Sequence, residues 1–582
     1  MNQTNHRRIE RRVPATGAVL PDTLHPLLRR IYTARGVLTA ADLDYALSAL
    51  HDFRSFGGMR EAVALLSECL RSERHILIVG DFDADGATSS ALAVRTLRKL
   101  GARHVDYLVP NRFEYGYGLT PEIVALAAQH HPVLIITVDN GISSHAGVAA
   151  ARAAGIRVLV TDHHMPGATL PDANAILNPN LPGDAFPSKC LAGVGVMFYL
   201  LLALRAHLRA NNWFMERGTA EPNLAEFLDI VALGTVADLV PLDHNNRVLV
   251  SQGLSRIRAG RSVPGIQALL EISRREASRL SATDLAFAVA PRLNAAGRLT
   301  DMSLGIECLL CDDASRAREF AVKLDELNHQ RRDIEARMQE DALRTLDDMG
   351  FNATDPALPF GVCLFNEEWH QGVVGLVAAR VKERVHRPVI VFARAEDGSL
   401  KGSARSVKGV HIRDALEAVD TRHPGLIIKF GGHAMAAGLS LAAGHFKLFS
   451  DAFDAEVRHW LQADDLAGVI HTDGELAPEH LTLECAELLR DAGPWGQGFP
   501  EPCFDGVFRL LERRVVNNGH LKLMLAEPRS GLRVDAIAFR QNGESLPSDC
   551  QELRIVYRPE VNEYRGERRL QLLVDYLEPV VP

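Results

Sequence analysis

Of the residues of this chain, 47% are hydrophobic and 24% charged, a composition typical of globular proteins. Its length of 582 residues is too great for one core, so we expect two to four domains. No apolar run reaches the roughly 20 residues of a membrane span, and the first residues lack a secretory signal. The eight cysteines are scattered, which favours a reducing compartment. We therefore expect a cytoplasmic protein that makes no membrane contact. The net charge of −9 argues weakly against nucleic acid as a partner, but a site of several carboxylates would contribute to it, and bound cations would cancel that part.

The first half of the chain is predicted to contain a parallel α/β sheet. Residues 1–70 have the pattern of a helical lead-in. Over about 75–165, strand-like apolar runs alternate with helical patterns, which is the βαβ signature of a parallel sheet. Residues from about 190 to 310 are predicted to be mainly helical.

The second half is predicted to hold a connector, a second α/β region and a barrel. Residues 312–349 contain no Gly or Pro and carry a narrow apolar stripe on a polar helix, which favours a connector between domains. A second α/β region follows over about 358–462. Five short strands with turn signals after about 470 predict a small barrel of the OB-fold type.

Three strand-like runs end in acidic or histidine residues. They are followed by Asp81-Phe82-Asp83-Ala84-Asp85-Gly86, by Asp139-Asn140-Gly141 and by Asp162-His163-His164. Parallel strands end at the same edge of a sheet, so these side chains are expected to converge there. Because clustered carboxylates are costly unless cations lie between them, we interpret the cluster as a two-metal hydrolase site.

Each motif also has a plainer interpretation. In an extended strand end, Asp81, Asp83 and Asp85 would all face one way, which favours metal binding, but the segment could also be an acidic surface turn or an EF-hand-like calcium loop. An EF-hand would need a glutamate at its twelfth position, where this chain has Leu92. Asp139 alone would be a turn residue or helix cap. An adjacent histidine pair alone would be mostly structural, and the two Asp segments upstream make a metal role the favoured interpretation. Imidazole admits Mn²⁺ or Zn²⁺ as well as Mg²⁺.

The combination of motifs resembles the DHH phosphoesterase superfamily and, within it, the RecJ family of single-strand-specific 5′→3′ DNA exonucleases of bacteria. The resemblance starts from the Asp81–Gly86 and Asp162–His164 segments. It extends to further motifs in the same order: Val194-Gly195-Val196, the segment 233–238, Asn294-Ala295-Ala296-Gly297-Arg298, the segment 369–374, Gly402-Ser403-Ala404-Arg405 and the segment 430–435. The family pattern often has Gly where this chain has Ala404.

The resemblance implies a domain order and a set of site residues. The domains would be the lead-in (1–70), a DHH catalytic domain (71–311), the connector helix (312–349), a DHH-associated substrate-binding domain (350–465) and an OB-fold nucleic-acid-binding domain (466–582). The implied metal ligands for two Mn²⁺ or Mg²⁺ ions are Asp81, Asp83, Asp85, Asp139, His163 and Asp238. The implied catalytic residues are Asp83, Asp85, Asp139, His163 and His164. Asp238 would otherwise be a lone polar residue on the apolar helix Val236–Val240.

Phosphate contacts are expected from glycine backbone and from basic and polar side chains. The expected residues are Asn294, Arg298, His370, Ser403, Arg405, Gly431, Gly432 and His433. Asn294 and Arg298 are placed on an Ala-Gly turn. The tail combines basic and aromatic residues in a way that is typical of a single-strand-binding surface, although they also suit an ordinary solvated barrel. These residues are Arg513, Arg514, Arg565, Arg568, Arg569, Phe539, Tyr557 and Tyr564.

The resemblance further implies hydrolysis of single-stranded DNA to 5′-mononucleotides in DNA repair and recombination. A helicase and a single-strand-binding protein are the implied partners, and the implied location is the bacterial cytoplasm, at the nucleoid. The alternative enzyme is a DHH phosphoesterase acting on oligoribonucleotides, cyclic dinucleotides or polyphosphate, against which the barrel argues. A replication scaffold built on a decayed core is the non-enzymatic alternative, and it would not be expected to keep every acidic and histidine position intact.

Overall fold

The protein is described by a computed structural model that covers residues 7–580, except 112–114, 116–117, 349–358, 462–467, 517–518, 540, 542, 544–545, 548 and 565, and except the side chains of residues 347, 348 and 564. The chain forms two compact units. The first unit consists of Pro14–Asn328 and Leu489–Glu501, and the second of Met1–Val13, His329–Leu488 and Pro502–Pro582.

The lead-in is only partly helical, because it opens with a strand. Its elements are β1 (Arg8–Arg11), α1 (Pro26–Thr33) and α2 (Met59–Arg71), with 3₁₀ turns at Ala40–Leu43, Leu47–Ala49 and Phe53–Ser55. Strand β1 belongs to the second unit and the helices to the first. The sequence expectation of a helical lead-in is therefore wrong for residues 8–11.

The first unit is built on a parallel five-stranded sheet, as the sequence predicted. In chain order its elements are β2 (Ile76–Gly80), α3 (Ala84–Lys99), β3 (Val105–Leu108), α4 (Pro121–Ala128), β4 (Leu134–Val138), α5 (His145–Ala153), β5 (Arg157–Thr161) and β6 (Ala175–Leu177). The strand order is β3-β2-β4-β5-β6, and all pairs are parallel. Every residue of β2 and β4 is buried, which explains why these runs are continuously apolar and not alternating.

Helices complete the first unit. They are α6 (Gly193–Ala210), α7 (Trp213–Arg217), α8 (Leu228–Ala237), α9 (His244–Arg258), α10 (Pro264–Ile272), α11 (Ala282–Asp284), α12 (Ala290–Leu299) and α13 (Ser303–Leu310), with 3₁₀ turns at Leu224–Phe227 and Ala277–Arg279 and a π-helical turn at Leu285–Val289. In the described part of the chain, α6 alone is long and apolar enough to cross a membrane, but 67% of it is buried inside the protein, as in a core helix.

The predicted connector is one continuous helix, α14 (Ala314–Asp348). Its 35 residues correspond to a length of about 52 Å at roughly 1.5 Å per residue. It starts in the first unit and ends in the second. Within the second unit, the buried Glu335 of α14 accepts hydrogen bonds from Arg331 on the same helix and from the exposed Arg380 on α15. The second of these bonds connects α14 to α15.

The second α/β region has a mixed sheet. Its elements are β7 (Val362–Phe365), α15 (Val374–Val385), β8 (Val389–Arg394), β9 (Leu400–Arg405), α16 (Ile412–Arg422), β10 (Ile427–Gly432), β11 (Ala436–Leu441), a 3₁₀ turn (Ala443–His445) and α17 (Phe446–Trp460). The strand order is β10-β11-β9-β8-β7, in which only β7 and β8 are parallel. Phe392, Phe449 and Phe453 are fully buried in its core.

The five predicted tail strands form a closed barrel. After β12 (Val469–Thr472), a 3₁₀ turn (Pro478–His480) and α18 (Leu483–Asp491), the barrel strands are β13 (Phe504–Val516), β14 (His520–Ala526), β15 (Arg533–Ala538), β16 (Glu552–Tyr564) and β17 (Glu567–Pro579). They close in the order β13-β14-β15-β17-β16. Strand β1 pairs in parallel with β12, and Arg11 forms an ion pair with the buried Asp505 of β13. These contacts fix the N-terminal strand to the C-terminal part of the chain.

Candidate active site

The three acidic segments meet at one edge of the parallel sheet. Gly80, Val138 and Thr161, the last residues of β2, β4 and β5, are neighbours in register. The next residues along the chain are Asp81, Asp139 and Asp162, so the three carboxylates begin at the same level of adjacent strands. The convergence predicted from strand polarity is the arrangement that the structure has.

Asp83 and Asp85 are placed by a helix and not by an extended strand end. Asp83 caps α3, since its side chain accepts hydrogen bonds from the backbone N–H groups of Asp85 and Gly86. Asp85 lies in the first turn of α3. The expectation that Asp81, Asp83 and Asp85 alternate along a strand is therefore wrong, because a short polar residue satisfies the free N–H groups of a helix start better than a strand does.

The Asp85 carboxylate is buried between two helix N-termini. Its two oxygens accept hydrogen bonds from the backbone N–H groups of Gly193 (2.6 Å) and Val194 (3.0 Å), at the start of α6. Burial and the charge of Asp83 nevertheless raise the pKa of Asp85 to about 7. The acid is thus firmly held but electrostatically unfavourable in the metal-free protein.

Asp139 occupies a tight position that excludes most other residues. Its backbone is left-handed, with φ of 62°, a conformation in which Asn and Asp are the most tolerated side chains after glycine. A side chain at position 193 would meet the Cβ of Asp139 at 2.7 Å, so Gly193 is required for α6 to start this close. Burial, followed by the charges of Asp85 and Asp83, raises the pKa of Asp139 well above its ordinary value.

Asp162 orients the histidine pair and was not among the implied metal ligands or catalytic residues. Its Oδ1 accepts hydrogen bonds from the backbone N–H groups of His163 and His164 and from Nδ1 of His164 at 2.7 Å, and its Oδ2 accepts one from Ile142 N–H. Burial alone would raise the pKa of Asp162, but the bond and charge of His164 hold it below its usual range. Burial alone would lower the pKa of His164, but Asp162 raises it to about 9.

Two asparagines that the sequence reasoning also missed support the same loop. The side-chain amide of Asn178 donates to the carbonyl of His164, and that of Asn180 donates to the carbonyl of His163. Both follow β6, the strand next to β5 in the sheet, and polar residues directly after a strand end were the signal that could have identified them.

Asp238 follows α8 and does not lie within it. The helix ends at Ala237, and the next residue, Leu239, is left-handed, with φ of 58°. The Oδ2 of Asp238 lies 3.5 Å from Nε2 of His163, which is also 3.0 Å from Oδ1 of Asp139. Burial and the charges of Asp85 and Asp83 raise the pKa of Asp238 well above its ordinary value.

The donor atoms of these residues form three overlapping groups. Within each group, one ligand atom per residue lies within 4.8 Å of the others. The groups are Asp139–His163–His164, Asp85–His163–Asp238 and Asp81–Asp83–Asp139. Asp139 and His163 each belong to two groups. The carboxylate of Asp139 has two oxygens and can therefore bind two neighbouring cations, whereas a nitrogen of His163 can bind only one of them. Carboxylate oxygens with imidazole suit Mn²⁺ and Mg²⁺. All six residues predicted as ligands are therefore brought together.

The charges of this cluster predict how the metal-free protein responds to pH. A carboxyl with a raised pKa, such as Asp85 (about 7) or Asp139, opposes folding once it ionises, and His164, raised to about 9, stabilises the fold only while it is protonated. Both effects remove stability as pH rises. We expect the Tm in EDTA to fall between about pH 5 and pH 9 and to recover on addition of Mn²⁺. A Tm in EDTA that rises with pH, or that Mn²⁺ leaves unchanged at high pH, would contradict the assignment.

The predicted phosphate-binding residues are divided between the two units. Asn294 and Arg298 belong to the first unit, on α12 and not on a turn. The side chain of Asn294 accepts a hydrogen bond from Ala84 N–H, and a Cβ at Gly297 would meet the carbonyl oxygen of Phe82 at 1.8 Å. The motif that contains them is therefore a packing surface for the Asp81–Asp85 loop, which a one-dimensional Ala-Gly pattern does not distinguish from a turn.

Within the second unit, Arg405 and Ser403 lie against the start of a helix. Nη1 of Arg405 donates to Oγ of Ser403 at 3.0 Å, and a Cβ at Gly375, in the first turn of α15, would lie 2.9 Å from both Nη2 of Arg405 and Oγ of Ser403. Burial lowers the pKa of Arg405, and no carboxylate pairs with it among the described residues. A half-buried cation beside the positive end of a helix is an arrangement that an anion would stabilise.

The other predicted phosphate contacts of this unit lie just before α15 or at the end of β10 in the same sheet as Arg405. Nδ1 of His370 accepts a hydrogen bond from Gly372 N–H, just before α15. Gly431 and Gly432 are the last residues of the edge strand β10, where they pair with β11, and not part of an isolated glycine loop. Ser403, Gly438 and Gly431 form one row across β9, β11 and β10. His433 N–H donates to the carbonyl of Ala436 in the following turn.

The barrel exposes a smaller basic surface than the sequence suggested. Tyr557 is a core residue, Arg513 donates to the carbonyls of Leu546 and Pro547, and Arg568 and Arg569 form ion pairs with Glu487 and Glu567. Arg565 and the Tyr564 side chain lie outside the description. Arg513 and Arg569 stay exposed despite these contacts. Arg514 is exposed opposite Lys522, which forms an ion pair with Asp535, and the exposed Phe539 packs edge-on against His520.

Three family descriptions match successive parts of the chain. "DHH family, N-terminal domain" matches residues 75–235, "DHHA1 domain" matches 359–459 and "RecJ OB domain" matches 472–576. The first covers the strand ends that carry Asp81, Asp139 and Asp162, the second covers Arg405, and the third covers the closed barrel.

Relatives and solved structures match the chain over nearly its full length. A protein of Dickeya dadantii named single-stranded-DNA-specific exonuclease RecJ is 58% identical over 98% of this chain and 99% of its own. The crystal structure of RecJ from Thermus thermophilus in complex with Mn²⁺ has a TM-score of 0.80 at 30% identity and covers 99% of this chain and 80% of that one. The corresponding Mg²⁺ complex has a TM-score of 0.74 at 29% identity over 99% of this chain and 79% of that one. The chain belongs to the RecJ family.

Proposed function

We propose that this protein is a metal-dependent exonuclease that degrades single-stranded DNA in the 5′→3′ direction and releases 5′-mononucleotides. The observation that carries the proposal is the buried cluster in which Asp139 and His163 are each shared between two groups of metal-binding atoms. Its full-length relative is named a single-stranded-DNA-specific exonuclease, and the matching Thermus structures are complexes with Mn²⁺ and Mg²⁺. The same ions suit the donor atoms of this chain.

The acidic and histidine residues of the first unit would hold two divalent cations. Bound divalent cations lower the pKa of a water molecule and neutralise charge on a phosphodiester under in-line attack. Asp139 would serve both positions, with Asp81 and Asp83 on one side and Asp85, His163 and Asp238 on the other. Asp162 occupies Nδ1 of His164, which leaves Nε2 of that imidazole to face the metal or the phosphate.

The residues of the second unit would bind a phosphate of the strand. Arg405 supplies a guanidinium that no described carboxylate neutralises, Ser403 supplies a hydroxyl, and the start of α15 supplies backbone N–H groups. Gly431, Gly432, His433 and His370 would extend this surface. Asn294 and Arg298 would act from the first unit, where Asn294 already supports the loop that carries Asp83.

The barrel would hold the rest of the strand. Arg514 is exposed on β13 opposite Lys522, which forms an ion pair with Asp535, so Arg514 would supply the cation for a phosphate of the backbone. The exposed ring of Phe539 offers a stacking surface for a base. We further propose that the protein acts in DNA repair and recombination in the cytoplasm, at the nucleoid, with a helicase that supplies single strands and a protein that coats them.

Digestion of one labelled oligonucleotide, alone and annealed to its complement, tests the preference for single strands. The side chains of Asp139 and His163 are recessed, with exposures of 2% and 12%, so a flexible single strand can reach the donor atoms where a rigid duplex end cannot. We expect release of 5′-mononucleotides from the single strand and strong resistance of the blunt duplex. Equal rates on the two substrates would contradict the proposal and favour a general nuclease.

A further inference from the structure

A short segment just before the barrel packs in the first unit. This anchor segment, Leu489–Glu501, follows most of α18 and precedes β13, both of which lie largely in the second unit. Trp495 and Phe499 of the anchor segment are 5% and 1% exposed, so the segment is part of the core of the first unit and not a loop lying on it.

Aromatic stacking and hydrogen bonds hold the anchor segment in place. The rings of Trp495 and Phe499 stack at 5.2 Å, and each lies about 6 Å from the ring of Tyr32 on α1. The hydroxyl of Tyr32 donates to the carbonyl of Ala492, and the guanidinium of Arg35 donates to the carbonyl of Pro500. Both ends of the segment are therefore fixed to the start of the first unit.

The middle of the anchor segment contacts the turn that follows Asp238. Gly496, Gln497, Gly498 and Phe499 form a tight turn, closed by hydrogen bonds between Gly496 and Phe499. This turn presents the Gln497 carbonyl to the N–H of Leu242 at 2.7 Å. A Cβ at Gly498 would lie 3.1 Å from the Cβ of Pro241, so the turn fits directly against Pro241–Leu242.

Arg247 joins the anchor segment to the same turn. Its guanidinium lies 4.3 Å from the ring centre of Phe499 and donates to the carbonyl of Leu242 at 2.9 Å and to that of Asp42 at 3.3 Å. The side-chain amide of Asn246 donates to the carbonyl of Pro241. The two residues Pro241–Leu242 are thus held at both carbonyls and at the one N–H that they possess.

Pro241, the first residue held by these contacts, lies three residues after Asp238 in the chain. Between them, Leu239 has a left-handed backbone, which costs energy for a side chain of this kind, and it is 58% exposed, so its own side chain does little to hold it there. The conformation of the turn must therefore be fixed from outside, on one side by α8 and on the other by Pro241–Leu242. A change in either fixed point would move the Asp238 carboxylate relative to His163.

We propose that the anchor segment positions Asp238 in the metal site, which makes Gly498 and Arg247 positioning residues of that site. The inference rests on the proposed function, because it takes Asp238 as a metal ligand. It assigns a role in metal binding to a segment that adjoins the barrel in the chain and contributes no ligand of its own.

Gly498→Ala tests the inference, with Gly260→Ala as the matched control. Both glycines lie in the first unit with positive φ, 72° and 69°, but an added Cβ meets Pro241 at Gly498 and nothing within 4 Å at Gly260. Mn²⁺ binding is titrated on the full-length proteins by EPR of the free ion, and kcat and KM are measured on a single-stranded oligonucleotide. We expect Gly498→Ala to weaken Mn²⁺ binding by about tenfold, the size of effect seen when a residue that supports a ligand is lost, and to lower kcat with KM unchanged.

A second variant keeps the test decisive if Gly498→Ala fails to fold. Arg247→Lys keeps the charge but cannot stack on Phe499 while donating to two carbonyls, so it should weaken Mn²⁺ binding in the same way. Folded variants that bind Mn²⁺ as tightly as the Gly260→Ala control would overturn the inference. A wild-type protein that binds no Mn²⁺ would instead overturn the proposed function and the inference with it.

Discussion

Asp139→Asn should abolish hydrolysis and at the same time stabilise the metal-free protein. Asn keeps the size of the side chain and tolerates the left-handed backbone at this position, whereas Ala would add strain. Removal of a shared ligand should cost more than the roughly 10- to 100-fold lost when an outer-shell partner is removed. The measurements are turnover of a single-stranded oligonucleotide with Mn²⁺ and the Tm in EDTA at neutral pH.

The rise in stability follows from the charges of the metal-free site. Burial and the neighbouring carboxylates raise the pKa of Asp139, so its ionised form opposes folding and a neutral amide does not. Asp106→Asn, on the edge strand β3 of the same sheet, is the control and should leave turnover unchanged. Near-normal turnover of Asp139→Asn would exclude this residue as a shared ligand, and loss of turnover together with a lower Tm would indicate a structural role.

Arg405→Ala should raise KM for the oligonucleotide and lower kcat, with a combined loss of about a hundredfold, the cost expected when a reacting phosphate is misplaced by about 1 Å. The guanidinium lies against the first turn of α15 beside Ser403, without a carboxylate partner among the described residues. Because no ion pair is broken, the Tm should change little. Steady-state kinetics over a range of oligonucleotide concentrations separate the two effects.

The matched control for Arg405 is Arg394→Ala. Arg394 lies on the neighbouring strand β8, but it is exposed and paired with Glu367, so its removal should leave kcat and KM as they are. If the two variants lose activity equally, the effect is one of general positive charge. If Arg405→Ala keeps full activity, the site beside α15 does not bind the strand.

The part of the site that sequence predicted well depends on strand polarity. Continuous apolar runs identified β2, β4 and β5 as buried parallel strands, and parallel strands must end together, so Asp81, Asp139 and the histidine pair were placed correctly relative to one another. The closed barrel was predicted from a different pattern, namely five short strands with turn signals between them, which is typical of a small barrel.

The wrong predictions concern residues whose positions are fixed by contacts distant in sequence. Asp83 and Asp85 belong to a helix start, because Asp83 caps α3 and Asp85 bonds to Gly193, more than a hundred residues away in the chain. The Asn294–Arg298 motif forms a helix, because Gly297 allows close packing on Phe82. Tyr557, expected on the binding surface, fills the barrel core, since alternation alone does not say which face of a barrel strand is inside.

The anchor segment could not have been predicted from the local pattern. Gly493-Pro494-Trp495-Gly496 is typical of a loop, and a loop directly before a barrel would ordinarily be assigned to it. Contacts distant in sequence, such as the packing of Trp495 and Phe499 on Tyr32, show that these residues belong to the first unit. One practical consequence is that a deletion from residue 470 onward would remove part of the first unit together with the barrel.

The most direct measurement of the central claim is release of label from a 5′-labelled single-stranded oligonucleotide by the full-length protein, with Mn²⁺ and in EDTA. The metal-binding groups around Asp139 and His163 predict rapid release of labelled 5′-mononucleotide with Mn²⁺ and none in EDTA. Release that continues at the same rate in EDTA would contradict the claim that this cluster is a metal-dependent nuclease site.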